Sequence, residues 1–470
     1  MVFADIADGV ARGIESAQSA VSEALFEPVI RLGVTGLARA GKTVFVTSLV
    51  ANLLDRNRMG HVGAIREGRV EAAFLQPQPD DTLPRFDYEA NLAALLGQKP
   101  HWPESTRNIS QLRISLRVQP GGLLSGLAGP RRVHVDIVDY PGEWLLDLSL
   151  IDQDYAGWSA AAISRARGRA YAADWLRLLD ETDGAAALGE PRAQALAAAF
   201  TDYLRACRAA GLSDCTPGRF LLPGDLAGSP VLTFSPLPQA QRAGRGSLHR
   251  EMGRRFDAYK SKVVKPFFRD HFARIDRQIV LVDVLGAIHA GPEAVEDMRR
   301  AMASVLGAFR PGPNSFLSRL LVGRRVERVL IAATKADHLH HRQHPALTAI
   351  AQAMLNEAKA RAEYAGAGTD AMSIAALRAT VEESRSHEGR KLDLVRGTLE
   401  GGRQAALYAG ELPEEPAAIL GPAHDGEAKW LDADYSVMAF EPPKLSLRAG
   451  EGPPHIRMDR AVEFLIGDRV

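Results

Sequence analysis

The octapeptide Gly36-Leu37-Ala38-Arg39-Ala40-Gly41-Lys42-Thr43 constrains the fold of this chain more than any other segment. It matches G-x-x-x-x-G-K-[ST] between a short buried strand at 31–35 and a helix at 44–54 whose apolar face carries Phe45, Leu49 and Leu53. The glycines let backbone N–H groups turn inward around an anion, and the helix N-terminus adds partial positive charge. Arg39, Ala40, Gly41, Lys42, Thr43 and Val44 are therefore the candidate phosphate cradle. Lys42 has the reach to bridge terminal phosphates, and the Thr43 hydroxyl suits Mg²⁺. A strand–loop–helix of this kind requires an α/β fold, and its expected ligand is a nucleoside triphosphate.

Two further motifs end buried strands. The run 327–333 leads into Thr334-Lys335-Ala336-Asp337, a [NT]-K-x-D tetrad. Its carboxylate would accept both ring N1–H and exocyclic N2–H of guanine, a pair that adenine cannot supply, while Lys335 packs on the base plane. His338 follows directly and is placed to cover the base. The strand 131–138 ends in Asp139-Tyr140-Pro141-Gly142, a D-x-x-G. Asp139 is the candidate acid that holds Mg²⁺ through water, and Gly142 the N–H that registers a γ-phosphate. Asp136, a rival acid, lies inside the strand and reads as a structural partner. Three such motifs in this order describe a GTPase-type domain.

The remaining pattern fits a mostly parallel sheet with an antiparallel hairpin edge. Strictly alternating 111–118 pairs with 131–138 as a hairpin, and buried runs at 278–284, 327–333 and 371–377 alternate with helices at 292–309 and 345–363. Residues 58–110 lack a clean period and hold Pro77, Pro79, Pro84, Pro100 and Pro103, which marks a long irregular connection where switch I belongs. In a Ras-like order the residue before the first hairpin strand closes on Mg²⁺. Thr106 is the candidate, with Ser105 and Ser110 as competitors. The loop 377–380 takes the place of the last base-binding loop, with Arg378 and Ala379 as contacts. The expected division is 28–150 and 277–380 as two parts of the nucleotide domain. A strandless helical insertion occupies 151–276, a second insertion with short strands and loops 381–450, and a closing helix 451–470. Residues 1–27 form an amphipathic helix that precedes them.

Asp139-Tyr140-Pro141-Gly142-Glu143-Trp144-Leu145-Leu146-Asp147-Leu148 and Trp102-Pro103-Glu104-Ser105-Thr106 resemble the YcjX-like P-loop proteins. So do 265–272 and the ending 454–457 with 463–468. The resemblance implies a bacterial, cytoplasmic, stress-associated protein whose Ras-like nucleotide domain carries helical insertions. It also inclines Thr106 towards the ligand and lets Trp102 shield the site, although a core tryptophan is the alternative.

Composition narrows the class. Lys plus Arg and Asp plus Glu both number 57, so no net field draws nucleic acid. Cys207 and Cys215, the only cysteines, make neither a disulfide framework nor a zinc set, which fits a reducing cytoplasm. The longest apolar runs are too short to span a membrane, and peripheral attachment through 3–27 is disfavoured because its polar face is not cationic. His338, His340, His341 and His344 cluster after the tetrad and read as a solvated loop rather than a metal site. The expected activity is slow Mg²⁺-dependent hydrolysis of GTP to GDP in a nucleotide-dependent switch or stress factor, with an unidentified protein partner met through the helical insertion. A nucleotide-gated scaffold without turnover is the alternative, and a small-molecule kinase or ATPase a weaker one. Glu143 stands where Ras-like enzymes have a water-orienting glutamine; a glutamate can orient water too, but its charge repels the γ-phosphate, which implies slow turnover. Arg39 is the candidate for cationic help within the loop.

Overall fold

A computed structural model describes residues 27–470 apart from 38, 105, 107, 122–128, 241–242, 310–325, 355, 357–366, 388 and 426–436. Ser105 and all but the last residue of the expected helix at 3–27 lie outside the described residues.

Apolar runs that are buried on both faces form the middle of a sheet whose order is β2-β3-β4-β1-β5-β6-β7. The strands are β1 Val29–Gly36, β2 Val70–Gln76, β3 Ser110–Val118, β4 Arg131–Asp139, β5 Arg277–Val282, β6 Arg328–Ala333 and β7 Gly368–Ser373. β4, β1, β5, β6 and β7 run parallel, while β2–β3 and β3–β4 are antiparallel, the hairpin edge that alternation predicts. Alternate residues divide between two cores. Leu32, Val34, Ile279, Leu281, Leu330 and Ala332 face Phe45, Leu49 and Leu53 of α1 (Lys42–Leu54), together with Met458, Ala461 and Leu465 near the C-terminus. Val280, Val282, Val329, Ile331 and Ala333 face the opposite core. Order reverses at β1: the chain leaves it for β2, returns to its side through the antiparallel β3–β4 pair and then crosses to β5 on the other side, and such a switch point opens a crevice at the carboxyl ends of the strands.

The second core continues into the segment between β4 and β5. A short helix α2 (Gly142–Leu146) leads into it, and α3 (Glu190–Ala209) and α4 (Leu248–Tyr259) are its main helices; no strand lies among its described residues. Trp158 stacks on Phe256 with centroids 4.8 Å apart, and Phe234 closes on both. The apolar stripe of α4 therefore packs first on aromatics of its own segment. Its continuation reaches the segment just after β4, where Phe267 meets Tyr140 and Trp144 at 5.9 and 5.8 Å. A wider turn at Lys260–Val264 carries the chain into Lys265–Asp270, with Pro266 in the first turn of that helix.

Several local expectations are corrected. The connection 58–110 holds a strand, β2, and the helix Tyr88–Leu96. β7 begins earlier than the apolar run 371–377, because Gly368, Thr369 and Asp370 pair with Arg328, Val329 and Leu330 while 374–377 turn away from the sheet. Within the expected helical insertion, a turn at 167–169 separates the helix Tyr155–Ala166 from Ala173–Asp180. Beyond β7, β8 Thr380–His387, β9 Arg390–Thr398 and β10 Gln404–Leu407 form a separate three-stranded sheet. The chain closes with α5 (Met458–Ile466).

Candidate functional site

At the carboxyl end of β1 the chain turns through left-handed backbone at Arg39 (φ 64°) and Gly41 (φ 75°), and no side chain caps the N-terminus of α1. A left-handed arginine is costly by roughly 1–2 kcal/mol, the kind of strain that gathers where backbone amides must face a ligand. Lys42 projects across to the end of β4, where its Nζ lies 2.5 Å from Asp139 Oδ1. Asp139 Oδ2 accepts a hydrogen bond from Thr106 Oγ1 at 2.8 Å, and Thr106 Oγ1 lies 3.1 Å from Thr43 Oγ1. Thr43 also donates to the Glu104 carbonyl at 3.3 Å. Two hydroxyls, a carboxylate fully shielded from solvent and a lysine thus share one small volume. Hard oxygen donors in this arrangement fit Mg²⁺, and the ammonium and loop amides fit phosphate. Val44 continues the first turn of α1, and Ala40 is buried beneath the loop. Ser110 is paired in β3 with Asp139, whereas Thr106 reaches the cluster by its side chain. Asp136 accepts two hydrogen bonds from Arg113, at 2.6 and 2.8 Å, and serves the sheet.

Gly142 lies against this loop so closely that a Cβ there would sit 2.2 Å from the Gly36 carbonyl. Only glycine permits the contact. The next residue turns away. Glu143 is buried, its Oε1 faces Arg208 Nη2 of α3 at 3.2 Å, and no described residue hydrogen-bonds that oxygen. Arg39 is exposed and points into no contact of this cluster.

The base motif lies at the ends of β6 and β7. Lys335 adopts left-handed backbone (φ 60°) and its ammonium pairs with Asp283, which caps the helix after β5. Asp337 is buried and accepts the backbone N–H of Ala379 at 2.9 Å, while Thr380 donates to its carbonyl. Arg378 is directed to β8, with Nε on the Thr380 carbonyl at 3.1 Å and Nη2 3.6 Å from Glu382. Burial holds the His338 imidazole below the usual histidine value, and its Nδ1 has no hydrogen-bond partner among the described residues. The His338 ring stands edge-on to Phe440 with centroids 5.2 Å apart. The Trp102 indole N–H donates to the Phe440 carbonyl at 2.7 Å, yet the side chain remains partly exposed, so it is not a core tryptophan.

The histidine cluster divides. His344 sits under the Ala336 carbonyl at 2.8 Å and contacts Arg457, whereas His340 and His341 lie beside Glu382 with ligand atoms within 4.8 Å of one another. Arg378 already opposes a cation there.

Sequence reading missed Asp283, Phe440, Asp147 and Arg208. The first was legible as an acid directly after a buried strand; the others make contacts between segments far apart in sequence.

The chain matches the YcjX-like family, DUF463, over residues 30–470. It is 38% identical over 456 residues to the Ras-like GTPase YcjX of Escherichia coli (strain K12), an alignment that covers 94% of this chain and 96% of that protein. With the protein of the same name from Shewanella oneidensis it shares 33% over 470 residues, 94% of each chain. A Ras-like sheet order, a phosphate loop at the switch point and this full-length likeness place the chain in the YcjX-like family of P-loop proteins.

Proposed function

We propose that this protein binds GTP with Mg²⁺ and hydrolyses it slowly, as a nucleotide-dependent switch. The observation that carries the reading is the meeting of Lys42, Thr43, Thr106 and Asp139 at one strand end. Thr43 and Thr106 would hold Mg²⁺ directly and Asp139 through water, and the ion when bound neutralises charge on the β- and γ-phosphates. Lys42 would leave Asp139 for the same phosphates. Gly142 would offer its N–H to the γ-phosphate, and Arg39 its charge from the rim. Attack by water forms a bond to the γ-phosphorus as the β–γ bridging oxygen leaves with GDP; the water proton passes to phosphate.

Guanine selectivity would rest on Asp337 and Lys335, with Ala379 beside Asp337 and with His338 and Trp102 closing over the base; Arg378 does not take the expected part, since its N–H is given to the Pro454 carbonyl and its guanidinium to β8. The names of the two relatives support the nucleotide. Among the described residues no helix is long and apolar enough to cross a membrane. The proposed setting is cytoplasmic, in a stress response, with a protein partner on 151–276. The proposed division keeps 28–150, 277–380 and 451–470 as the nucleotide domain. The buried, paired state of Glu143 favours one alternative, a scaffold that binds GTP without turnover.

Calorimetry and phosphate release with GTP and ATP, with and without Mg²⁺, test the reading. GTP should bind far more tightly than ATP, and Asp337→Asn should move the preference to xanthosine triphosphate by exchanging an acceptor for a donor. Equal affinity for ATP and GTP would refute the guanine assignment. Tight binding with no phosphate release would select the scaffold.

A further inference from the structure

Glu143 is the residue most out of place in a hydrolytic site. It directly follows the Gly142 that touches the phosphate loop, yet its carboxylate is turned into the helical segment. Three observations define how it is held. Arg208, in the last turn of α3, faces Glu143 Oε1 at 3.2 Å. The loop at Gly218 presses on the same residue, because a Cβ at Gly218 would lie 2.3 Å from the Glu143 carbonyl and 2.8 Å from its Cβ. Glu143 Oε1 is buried and lacks a hydrogen bond among the described residues, so the ion pair alone compensates its charge. A buried carboxylate oxygen satisfied only by an imperfectly aligned cation is expensive, and a small displacement of α2 exchanges that arrangement for a solvated one.

We infer that Arg208 is a positioning residue: it draws Glu143 away from the γ-phosphate, and release of this ion pair is what admits Glu143 to the water. The inference deepens the proposed GTPase reading and rests on it. The mechanism is local. Glu143 lies one residue from the γ-phosphate sensor and one ion pair from α3, so a movement of Gly142 towards a γ-phosphate pulls directly on Arg208. With Arg208 in place, the segment 151–276 holds the site in a slow state. A partner that binds this segment and shifts α3 would speed turnover without adding a group of its own.

The test uses the full chain and single-turnover hydrolysis of GTP with Mg²⁺. Arg208→Met keeps the length of the side chain and removes its charge. It should raise the rate about fivefold, the gain expected when a partly solvated ion pair no longer biases the equilibrium. Arg208→Lys should restore most of the wild-type behaviour. In a Glu143→Ala background, Arg208→Met should leave the rate unchanged, because its effect passes through Glu143. A rate that is unchanged or lower in Arg208→Met, or an equal effect in both backgrounds, overturns the inference. Hydrogen exchange provides a readout that needs no turnover. Arg208→Met should loosen amides 142–148 and 218–221 without nucleotide, and unaltered exchange there also overturns it. Absence of GTP binding in the wild type, with exchange changed as expected, would instead remove the GTPase reading and leave the ion pair as a structural latch.

Discussion

Asp147 is the residue whose titration should report on the joint between α2 and the helical segment. Its side chain is 2% exposed, accepts the Gly218 N–H at 2.7 Å and pairs with the Tyr259 hydroxyl at 2.5 Å. Burial pushes its carboxyl up to about 7; the Tyr259 and Gly218 hydrogen bonds and the nearby Arg219 guanidinium oppose that rise only in part. The native state therefore holds this proton far more tightly than an unfolded chain, whose aspartate titrates near 3.8. The associated stability is complete below the unfolded value and is lost as pH rises through the folded one. Linkage between these two values gives a loss of about 2–3 kcal/mol between roughly pH 5 and 8.5. Asp147→Asn removes the titration and keeps both contacts, since its carbonyl still accepts from Gly218 and its amide donates to the Tyr259 oxygen. Urea midpoints should be followed by tryptophan fluorescence, because Trp144, Trp158 and Trp175 all lie in the core around this joint. The wild type should lose about 2–3 kcal/mol more than the variant over that interval. Parallel stability curves for the two proteins would refute the assignment of a neutral, buried Asp147.

Other substitutions separate the parts of the site. Lys42→Ala should weaken GTP binding about a hundredfold by calorimetry, since a charge-assisted contact to phosphate is lost and Asp139 is left without its ammonium. Thr43→Ala should instead abolish the gain in affinity that Mg²⁺ brings, while binding in EDTA changes little. Gly142→Ala places a methyl 2.2 Å from the Gly36 carbonyl and should displace α2 from the loop, which protease cleavage after 142 would detect.

Much of this arrangement was legible because each nucleotide motif lies at the end of a strand whose burial is written in its own residues. β5 and β6 end in continuous apolar runs and β1 is buried from Leu32 to Gly36, so their loops follow without ambiguity. β2 escaped notice because it lies at the sheet edge. In Val-Glu-Ala-Ala-Phe-Leu-Gln only Val70 is buried, so neither strict alternation nor a buried run appears. β7 was misplaced because register with β6, not hydropathy, fixes where pairing begins; Gly368, Thr369 and Asp370 carry almost no strand signal. The direction of Glu143 was not legible either. Its place after D-x-x-G predicts a group near the γ-phosphate, whereas the cation that turns it away is 65 residues downstream on α3. Asp147 and Phe440 share this property, since each acts through a partner on a distant segment.

The two segments outside the main sheet contact different parts of the candidate site, and on the proposed reading those parts would carry different information. Trp102 and His338 meet Phe440 beside the base motif, and a guanine base is the same in GTP and GDP. On the proposed reading, contacts there can register occupancy but not phosphate state, because a ligand shifts an equilibrium only by its differential affinity for the two forms. The helical segment differs. It holds α2 at Glu143 and Asp147, within one to five residues of the Gly142 N–H that a γ-phosphate would engage. Among the described residues this joint would join a contact that depends on the γ-phosphate to a direct tie with the helical segment. On the proposed reading the signal of hydrolysis would leave the site through α2 and α3, and Phe440 beside the sheet β8–β9–β10 would serve retention of the nucleotide.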